Sequence, residues 1–487
     1  MKKLLPVFLF MLMIRNSYGQ LPDSLQINAG SVGTIAQKGY QPLWITANRW
    51  GAFSNQQYDA STYAGFSNVH VFGKNDQPKS NPGQTEQPLF YVKYGANLIS
   101  NNHFQTVTLQ EAYVKAGYKH LELRAGRFKY IPGEVDQDLS SGSLGVSGNA
   151  LPIPQITLGL TDYVNVPFTN GWLQIKAQLS HGWLGSNRYL NSYYHEKNIY
   201  LRAGKKRFRF FAGAQHYAEW GGQRNDISLD RSFNGFLNVV FARSNADDGT
   251  GIDPAMLIYG PYHAGDQRGL FELGFDLETN QHLIHFYHQT PFDGTWSVDI
   301  RNIDNLSGIS IAPKNKSGVI KKVLAEFIYT LQMENYAPQL QRQGYYNNGY
   351  YRTGWEYNNQ IVGTPLFINR YRAQDYPYFQ EKGIKPFDWN SSNIPGNSNI
   401  IYNGIVGGNI GLLLQFGNRF SGKTKLTYTS GKYQGSASLN QFYGLQEVYF
   451  SAAKNLNVSV GFALDAGDFS HNTGGLIGLH WQLKKDR

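Results

Sequence analysis

The chain has 487 residues, a formal net charge of +10 and no cysteine, which excludes both a disulfide framework and a cysteine-linked lipid anchor. Its basic residues are scattered rather than gathered in runs, which argues against nucleic acid as a partner. Tyrosine (33 residues) and glycine (53 residues) are both abundant, a combination that is uncommon in soluble domains and typical of membrane β-barrels.

Residues 1–19 have the pattern of a secretory signal peptide that is removed from the mature protein. Two lysines precede an apolar run over residues 4–14, and Ser17 and Gly19 supply small residues before the cleavage point. Beyond it, no apolar stretch reaches the roughly 18 residues that a transmembrane helix needs. Residues 20–487 are therefore expected to form one domain, of which 20–42 show no clear periodicity.

Alternation of apolar and polar residues predicts five strands in the first third of the mature chain. Their predicted ranges are Leu43–Ala52, Tyr63–Phe72, Pro88–Leu98, Thr106–Tyr118 and Leu121–Phe128.

The segment 172–217 shows the repeating unit most clearly. Alternation begins at Leu173, returns at Ile199 after a long polar link, and resumes at Phe208 after a very short turn. Alternating strands of about ten residues, joined by long and short links in turn, are typical of outer-membrane barrels with an apolar face to lipid and a polar face to the lumen. By this parity the polar lumen would include Glu111, Lys115, Arg124, Lys176 and Arg202.

Loop lengths orient such a barrel, because periplasmic turns are short and extracellular loops are long. The short links near Lys119, Lys205 and Ala453 are predicted to be periplasmic. The predicted outer loops are 130–155, 181–197, 218–234 and roughly 331–407.

The fold predicted is an all-β, transmembrane outer-membrane β-barrel of about 18 antiparallel strands with long extracellular loops, and the strand count reaches eighteen to twenty. The last strand is placed at Ile477–Leu483. Strand parity between Met256 and Ala312 can be satisfied in two ways. The segment Gly318–Thr330 fits a helix as well as a strand.

The longest predicted loop is rich in aromatic, asparagine and arginine side chains, which suit carbohydrate. Aromatic rings pack against the C–H faces of sugars, while asparagine and arginine bind hydroxyl and carboxylate groups. The alternative is that the loop packs on itself and plugs the barrel mouth, and the two roles are compatible. The candidate polysaccharide-binding residues are Tyr345, Tyr346, Tyr350, Tyr351, Arg352, Trp355 and Tyr357, together with Trp220 near a predicted outer strand end.

Catalytic, metal and cofactor sites are not predicted. The histidines around His181, His195 and His216 lack a metal-ligand spacing such as HExxH. Acidic residues cluster on presumed outer loops, at Glu134, Asp136 and Asp138 and at Asp247 and Asp248, but without the features of a sugar-cleaving pair. No GxSxG elbow of an esterase is present.

Several segments resemble the capsule assembly Wzi family of outer-membrane proteins. They are PLWITANRWGAF (42–53), LSSGSLGVSGNALPIPQITLG (139–159), HEKNIYLRAG (195–204), AGAQHYAEWGG (212–222), FYHQTPFDG (286–294) and YYNNGYYRTGWEYNNQIVGTPLF (345–367). The resemblance implies a closed barrel of about eighteen strands that holds capsular or exported polysaccharide at the cell surface, lectin-like and without turnover. It also implies a small helical plug at the periplasmic side, although the N-terminal residues show no helical pattern.

The sequence therefore favours a non-enzymatic outer-membrane barrel that binds polysaccharide through its outer loops. A porin-type channel using the polar lumen is the first alternative, and an enzyme acting on envelope glycan is the second. Expected partners are capsular or exported polysaccharide, outer-membrane lipid and lipopolysaccharide, with the protein acting as a monomer and without a cofactor.

Overall fold

The structure, a computed structural model, describes residues 24–72, 90–225, 227–243, 265–293, 301–333, 344–394, 396, 398–433 and 435–484. The predicted signal peptide and Asp247 and Asp248 lie outside these residues. No helix in the described ranges is long and apolar enough to cross a membrane.

One large antiparallel sheet closes on itself to form a barrel. Of its nineteen hydrogen-bonded segments, Gln155–Leu160 and Val164–Asn165 both pair with the next long strand and make one interrupted strand, so the barrel has eighteen strands. The strands are β1 Gln26–Tyr40, β2 Gln56–Phe72, β3 Phe90–Asn101, β4 Thr106–Tyr118, β5 Leu121–Arg127, β6 Gln155–Leu160 (continued by Val164–Asn165), β7 Leu173–Gly185, β8 Ser192–Lys205, β9 Phe208–Trp220, β10 Asp266–Glu278, β11 His282–Asp293, β12 Asn305–Pro313, β13 Ile320–Tyr329, β14 Ile405–Phe416, β15 Phe420–Gly431, β16 Leu439–Ala453, β17 Leu456–Gly467 and β18 His471–Lys484.

Closure occurs between the first and last strands. β1 pairs with β18 from Gln26 opposite Lys484 to Ala36 opposite Gly474, and its other edge pairs with β2. No barrel strand is left with an open edge, which a membrane-spanning sheet requires because lipid offers no hydrogen-bonding groups.

The helices of the described residues are short and lie in the loops. They are α1 Leu43–Thr46, α2 Phe233–Val240, α3 Arg370–Ala373 and α4 Pro377–Glu381. Among the described loop residues there are also three two-stranded ribbons, formed by Gln223–Arg224 with Ile227–Ser228, Glu356–Tyr357 with Gln360–Ile361, and Ile368–Asn369 with Ile400–Tyr402.

The two ends of the barrel differ as predicted. Short links such as 119–120, 206–207 and 454–455 lie at one end, which is therefore periplasmic. The outer end carries the described parts of the long loops, whose bounds are 128–154, 221–265 and 330–404. The predicted loop 181–197 was too long, because β7 and β8 extend further and leave only 186–191 between them.

Most of the predicted strands are present, with shifted ends. Thr106–Tyr118 is confirmed with the same bounds as β4, and the other predicted ranges over 63–128 lie within or overlap β2, β3 and β5. The ambiguous segment Gly318–Thr330 contains a strand, β13. Between Met256 and Ala312 the described residues hold β10, β11 and β12, while Met256 itself lies outside them.

At the N-terminus, one strand was not predicted and one prediction was wrong. Residues 20–42 show no clear periodicity and no strand was predicted there, yet residues 26–40 form β1, whose many small side chains hide the alternation while backbone hydrogen bonds to β2 and β18 hold it. Leu43–Ala52, expected to be a strand, begins with α1 inside the barrel. Leu43, Trp44 and Ile45 are all buried there, so consecutive apolar residues do not mark a strand.

The core of the molecule lies inside the barrel lumen. It contains buried residues of α1, of loop 128–154 and of loop 344–404, packed against the inner face of the strands. Inward-folded outer loops thus plug the lumen, as the alternative for the segment 331–407 predicted, whereas the helical plug that the resemblance implies at the periplasmic side is not found among the described residues. Apolar residues that remain exposed, such as Leu201 and Phe210, lie on the lipid-facing side of the wall.

Candidate functional site

The segment 128–154 is the inner layer of the lumen filling. It was expected to face outward, and the structure corrects this, because its side chains bond to the barrel wall. Ser140 Oγ donates to Glu326 Oε1 of β13 at 2.6 Å, and Leu144 N donates to Gln289 Oε1 of β11 at 3.1 Å. Near the start of the loop, Gly133 has a φ of +88°, a left-handed backbone conformation that favours glycine.

The acidic residues of this segment are engaged by lysines of the wall. Glu134 forms an ion pair with Lys176 of β7. Lys322 of β13 lies 3.0 Å from Asp136 Oδ2 and 2.8 Å from Asp138 Oδ2. Carboxylates held in this way fix the loop in the lumen, and they do not form the opposed pair that sugar hydrolysis requires.

The five predicted lumen-facing polar residues all lie on the inner side of the wall. Arg124 stacks over Phe128 and Tyr130, with its guanidinium carbon 5.7 and 5.1 Å from the ring centroids. Arg202 Nε donates to Gln174 Oε1 at 2.8 Å. Glu111, Lys115 and Lys176 contact the residues at the start of loop 128–154, namely Lys129, Phe128 and Glu134.

Most of the predicted sugar-binding aromatics belong to the packed lumen. Trp355, 3% exposed, stacks with Tyr194 of β8 at 5.9 Å between ring centroids, and its Nε1 donates to Gly145 O at 2.7 Å. Tyr346 OH donates to Leu144 O at 2.6 Å. Buried rings that bond to the plug and the wall have no free face for a sugar. The same holds for the other buried members of the set, Tyr345, Tyr351 and Tyr357.

Trp220 is also buried, and it faces away from the lumen. It lies on the lipid-facing side of β9, where its ring packs against Tyr193 at 5.0 Å and against Phe236 of α2 at 5.7 Å. Of the predicted binding residues, only Tyr350 and Arg352 are partly exposed at the mouth.

Arg352 belongs to a surface that was not predicted from the sequence. Its guanidinium carbon lies 5.0 Å from the Tyr189 ring centroid, and that of Arg224 lies 4.6 Å from the same ring. Trp389 meets Tyr189 edge to face at 6.4 Å. We call this group the outer-mouth cluster, which consists of Tyr189, Arg224, Arg352, Arg370, Phe387 and Trp389.

Three separate outer loops supply the outer-mouth cluster, and the arginines hold them together. Arg224 Nη1 donates to the carbonyl oxygens of Tyr189 at 3.1 Å and Trp389 at 2.6 Å. Arg352 Nη1 donates to Ile394 O at 2.9 Å. The bonds of Arg370 also go to backbone carbonyl oxygens, and its guanidinium carbon lies 4.4 Å from the Phe387 ring centroid.

The charges of these three arginines are not neutralised by neighbouring carboxylates in the part of the chain that the structure describes. Burial lowers the pKa of Arg370 from its usual value. An arginine guanidinium nevertheless stays charged at neutral pH. Guanidinium groups stacked on aromatic rings at the mouth form a cationic surface that suits acidic sugars.

The sequence held a signal for this cluster. Arg224 lies in the predicted loop 218–234, and Phe387 and Trp389 lie in 331–407, but spacing alone could not show that Tyr189 from a third loop joins them.

The fold and this mouth define a class: an outer-membrane β-barrel whose lumen is filled by its own outer loops. The profile of the capsule assembly protein Wzi family matches residues 47–368, about two thirds of the chain. The protein belongs to the capsule assembly Wzi family, and it is located in the outer membrane.

The fold is shared with the solved structure of a capsule assembly protein. Wzi of Escherichia coli, described as an outer-membrane protein involved in group 1 capsule assembly and a carbohydrate-binding β-barrel, matches with a TM-score of 0.55. The two chains are 12% identical over 98% of this chain and 87% of that one. OccK11 of Pseudomonas aeruginosa matches with a TM-score of 0.47 and 9% identity, over 94% of this chain and 95% of that one. No curated protein matches the chain.

Proposed function

We propose that the protein binds an acidic capsular or exported polysaccharide at the cell surface and helps to attach or assemble the capsule, without turnover. The observation that carries the proposal is the outer-mouth cluster, where Arg224 and Arg352 stack on Tyr189 without a carboxylate partner among the described residues. Membership in the Wzi family supports this role, as does the description of the Escherichia coli protein as carbohydrate-binding.

The cluster is suited to a chain of uronic acids or other acidic sugars. Each arginine already bonds to backbone carbonyls, so it is held in place before a ligand arrives and loses little freedom on binding. Its remaining N–H groups can bind a carboxylate in bidentate fashion. The adjoining Tyr189 and Phe387 are partly exposed and offer ring edges and partial faces for sugar C–H groups, while the buried Trp389 packs against both of them.

The packed lumen favours a binding protein over a porin-type channel. Aromatic residues of loop 344–404 and apolar residues of loop 128–154 occupy the space that solute would cross. Catalysis on envelope glycan is less well supported, because Glu134, Asp136 and Asp138 are each bound to a lysine.

The test compares substitutions at the mouth with matched substitutions at the periplasmic end. Arg352→Gln and Phe387→Ala should each shift polysaccharide from the cell-bound to the shed fraction, with affinity falling roughly tenfold for each central contact. Arg207→Gln and Phe168→Ala change the same residue types at the opposite end and should leave retention unchanged. Retention equal to wild type in both mouth variants, at equal protein abundance, would contradict the proposal.

A further inference from the structure

Helix α2 lies on the outside of the barrel. Ser232 caps its first turn by accepting the Gly235 N–H at 3.1 Å. Phe236 packs its ring 5.7 Å from that of Trp220 and 5.9 Å from that of His195. His195 of β8 and Trp220 of β9 lie on the lipid-facing side of these strands. Leu201 and Phe210, which alternate onto the same side, are exposed there.

The helix covers a polar patch on that wall. His181, His195 and His216 sit on adjacent strands with lipid-facing parity, and His195 is 0% exposed. Lys197, two residues further along β8, donates to the carbonyl oxygen of Val240 in the last turn of α2. The negative end of the helix dipole thus meets the lysine ammonium. Without α2 these polar groups would face lipid, which is costly.

The position of the helix along the wall places it in the outer leaflet. Phe236, in the middle of the helix, meets Trp220 at the outer end of β9, and Val240, at its C-terminal end, meets Lys197, five residues inside the outer end of β8. Five strand residues span roughly 16 Å before allowance for tilt. The wall beside the helix remains apolar and exposed, for example at Trp183 and Ile199.

The outer surface of α2 and its flanks carries two aromatic side chains and two arginines. Phe233 is 72% exposed and Phe241 is 62% exposed, although both adjoin the lipid-facing wall. Arg231 and Arg243 are exposed at the two ends, and the Arg243 guanidinium carbon lies 5.3 Å from the Phe241 ring centroid. An amphipathic helix with aromatic anchors and flanking arginines is typical of a segment that lies in a membrane interface.

We propose that α2 is a lipid-binding helix that holds a phosphorylated glycolipid, lipopolysaccharide, of the outer leaflet against β8 and β9. Phe233 and Phe241 pack against its acyl chains, and Arg231 and Arg243 bind its phosphate groups. A lipid ligand follows from the continuity of the helix with the lipid-facing wall, and an anionic one from the two arginines. The site is separate from the outer-mouth cluster, so its failure would leave the polysaccharide proposal unaffected.

The first experiment measures lipopolysaccharide binding to the full chain in nanodiscs of zwitterionic lipid. The double variant R231E/R243E should bind roughly tenfold less tightly or worse, because each arginine near a charged membrane surface contributes about tenfold or somewhat less. Dephosphorylated lipopolysaccharide should bind the wild type with similar weakness. R207E/R419E reverses two exposed charges at periplasmic turns and should bind as the wild type does.

Unchanged affinity in the double variant would overturn the proposal, as would equal binding of phosphatidylglycerol by the wild type. Each variant must first show the heat-dependent gel mobility of a folded barrel, which separates a lost site from a lost fold.

The second experiment uses the absence of cysteine from the chain. A single cysteine at position 233 or 241, introduced as Phe233→Cys or Phe241→Cys, carries an environment-sensitive fluorophore. Lipids with a quencher on the acyl chain should quench both labels strongly, and aqueous iodide should quench them weakly. Asn390→Cys, in the exposed outer loop, supplies the aqueous control. Labels at 233 and 241 that behave like the label at 390 would place α2 in water and refute the proposal.

Discussion

Leu201 and Gln174 lie on neighbouring strands but face opposite sides of the barrel wall. Leu201 is 45% exposed on the lipid side, whereas Gln174 Oε1 accepts a hydrogen bond from Arg202 inside the lumen. Leu201→Arg should therefore cost about 2–4 kcal/mol if the residue is near the bilayer midplane. Gln174→Arg places two guanidinium groups together at partly exposed positions of the lumen and should cost less, about 1 kcal/mol or below. Denaturant unfolding in lipid vesicles would measure both, and the reverse order would refute the assigned parity.

Asp375, between α3 and α4, gives a prediction about pH. Burial raises the pKa of Asp375 to about 6, against the opposing effects of Arg372 and of the Asn55 amide, which donates to Asp375 Oδ2 at 2.6 Å. Because the folded pKa lies above the unfolded value, the folded state holds its proton more tightly. The stability that this group contributes is thus present below about pH 4 and lost as pH rises through about 6.

Asp375→Asn should remove this pH dependence and stabilise the protein at neutral pH by roughly 1–3 kcal/mol. Thermal unfolding at pH 4, 6 and 8 measures the effect, with Asp388→Asn as the control in an exposed part of the same loop. Equal pH dependence in wild type and Asp375→Asn would refute the assignment.

Among the elements, loop 344–404 differs most from its prediction, because most of the aromatic side chains predicted to bind sugar are buried in the lumen. Tyr351 OH donates to Gly221 O at 3.2 Å, and Trp355 packs against both Tyr194 and Tyr217 of the wall. Tyr351→Ala with Trp355→Ala should loosen this loop, since truncating one buried large aromatic typically costs about 3–5 kcal/mol. We expect new ion conductance in planar bilayers from this double variant and none from Arg352→Gln. A silent bilayer with a folded double variant would show that the lumen is closed by other residues.

Whether an element could be predicted from the sequence depended on what surrounds its side chains. β4 and β7 have lipid on one face and a polar lumen on the other, so alternation in sequence predicted them directly. α1 is buried on all sides and β1 is built from small residues, so neither shows a readable period. The loop residues posed a different problem. Aromatic composition predicted a functional role for residues 345–357. The same composition suits both a packed plug and a sugar-binding site, and only three-dimensional contacts distinguish the two.

For the molecule as a whole, closure of the barrel is the property from which the rest follows. The wall holds the inward-folded loops in place through bonds such as Lys425 Nζ to Ser140 O at 2.7 Å and Leu43 N to Asp465 Oδ2 at 3.0 Å. Loops fixed in this way present the outer-mouth cluster with little residual freedom. Loss of closure should therefore abolish polysaccharide retention together with barrel stability.

The β1–β18 seam allows closure to be tested with one residue. Ala29 pairs with Trp481 of β18 on one side and with Ala64 of β2 on the other. Ala29→Pro removes an N–H from this ladder while changing the side chain little, and a proline inside a central strand is poorly tolerated. Wild-type protein should migrate faster on gels before boiling than after it, because the closed barrel resists detergent. We expect the fast band to be lost or greatly reduced in Ala29→Pro.

Gln37→Pro is the matched control, because residue 37 lies in β1 where neither neighbouring strand has a regular partner for it. It should keep the fast band. A wild-type protein whose mobility does not change on boiling would contradict the closed barrel itself. A fast band in Ala29→Pro as strong as in wild type would instead show that closure does not need the backbone hydrogen bond of β1 at this position.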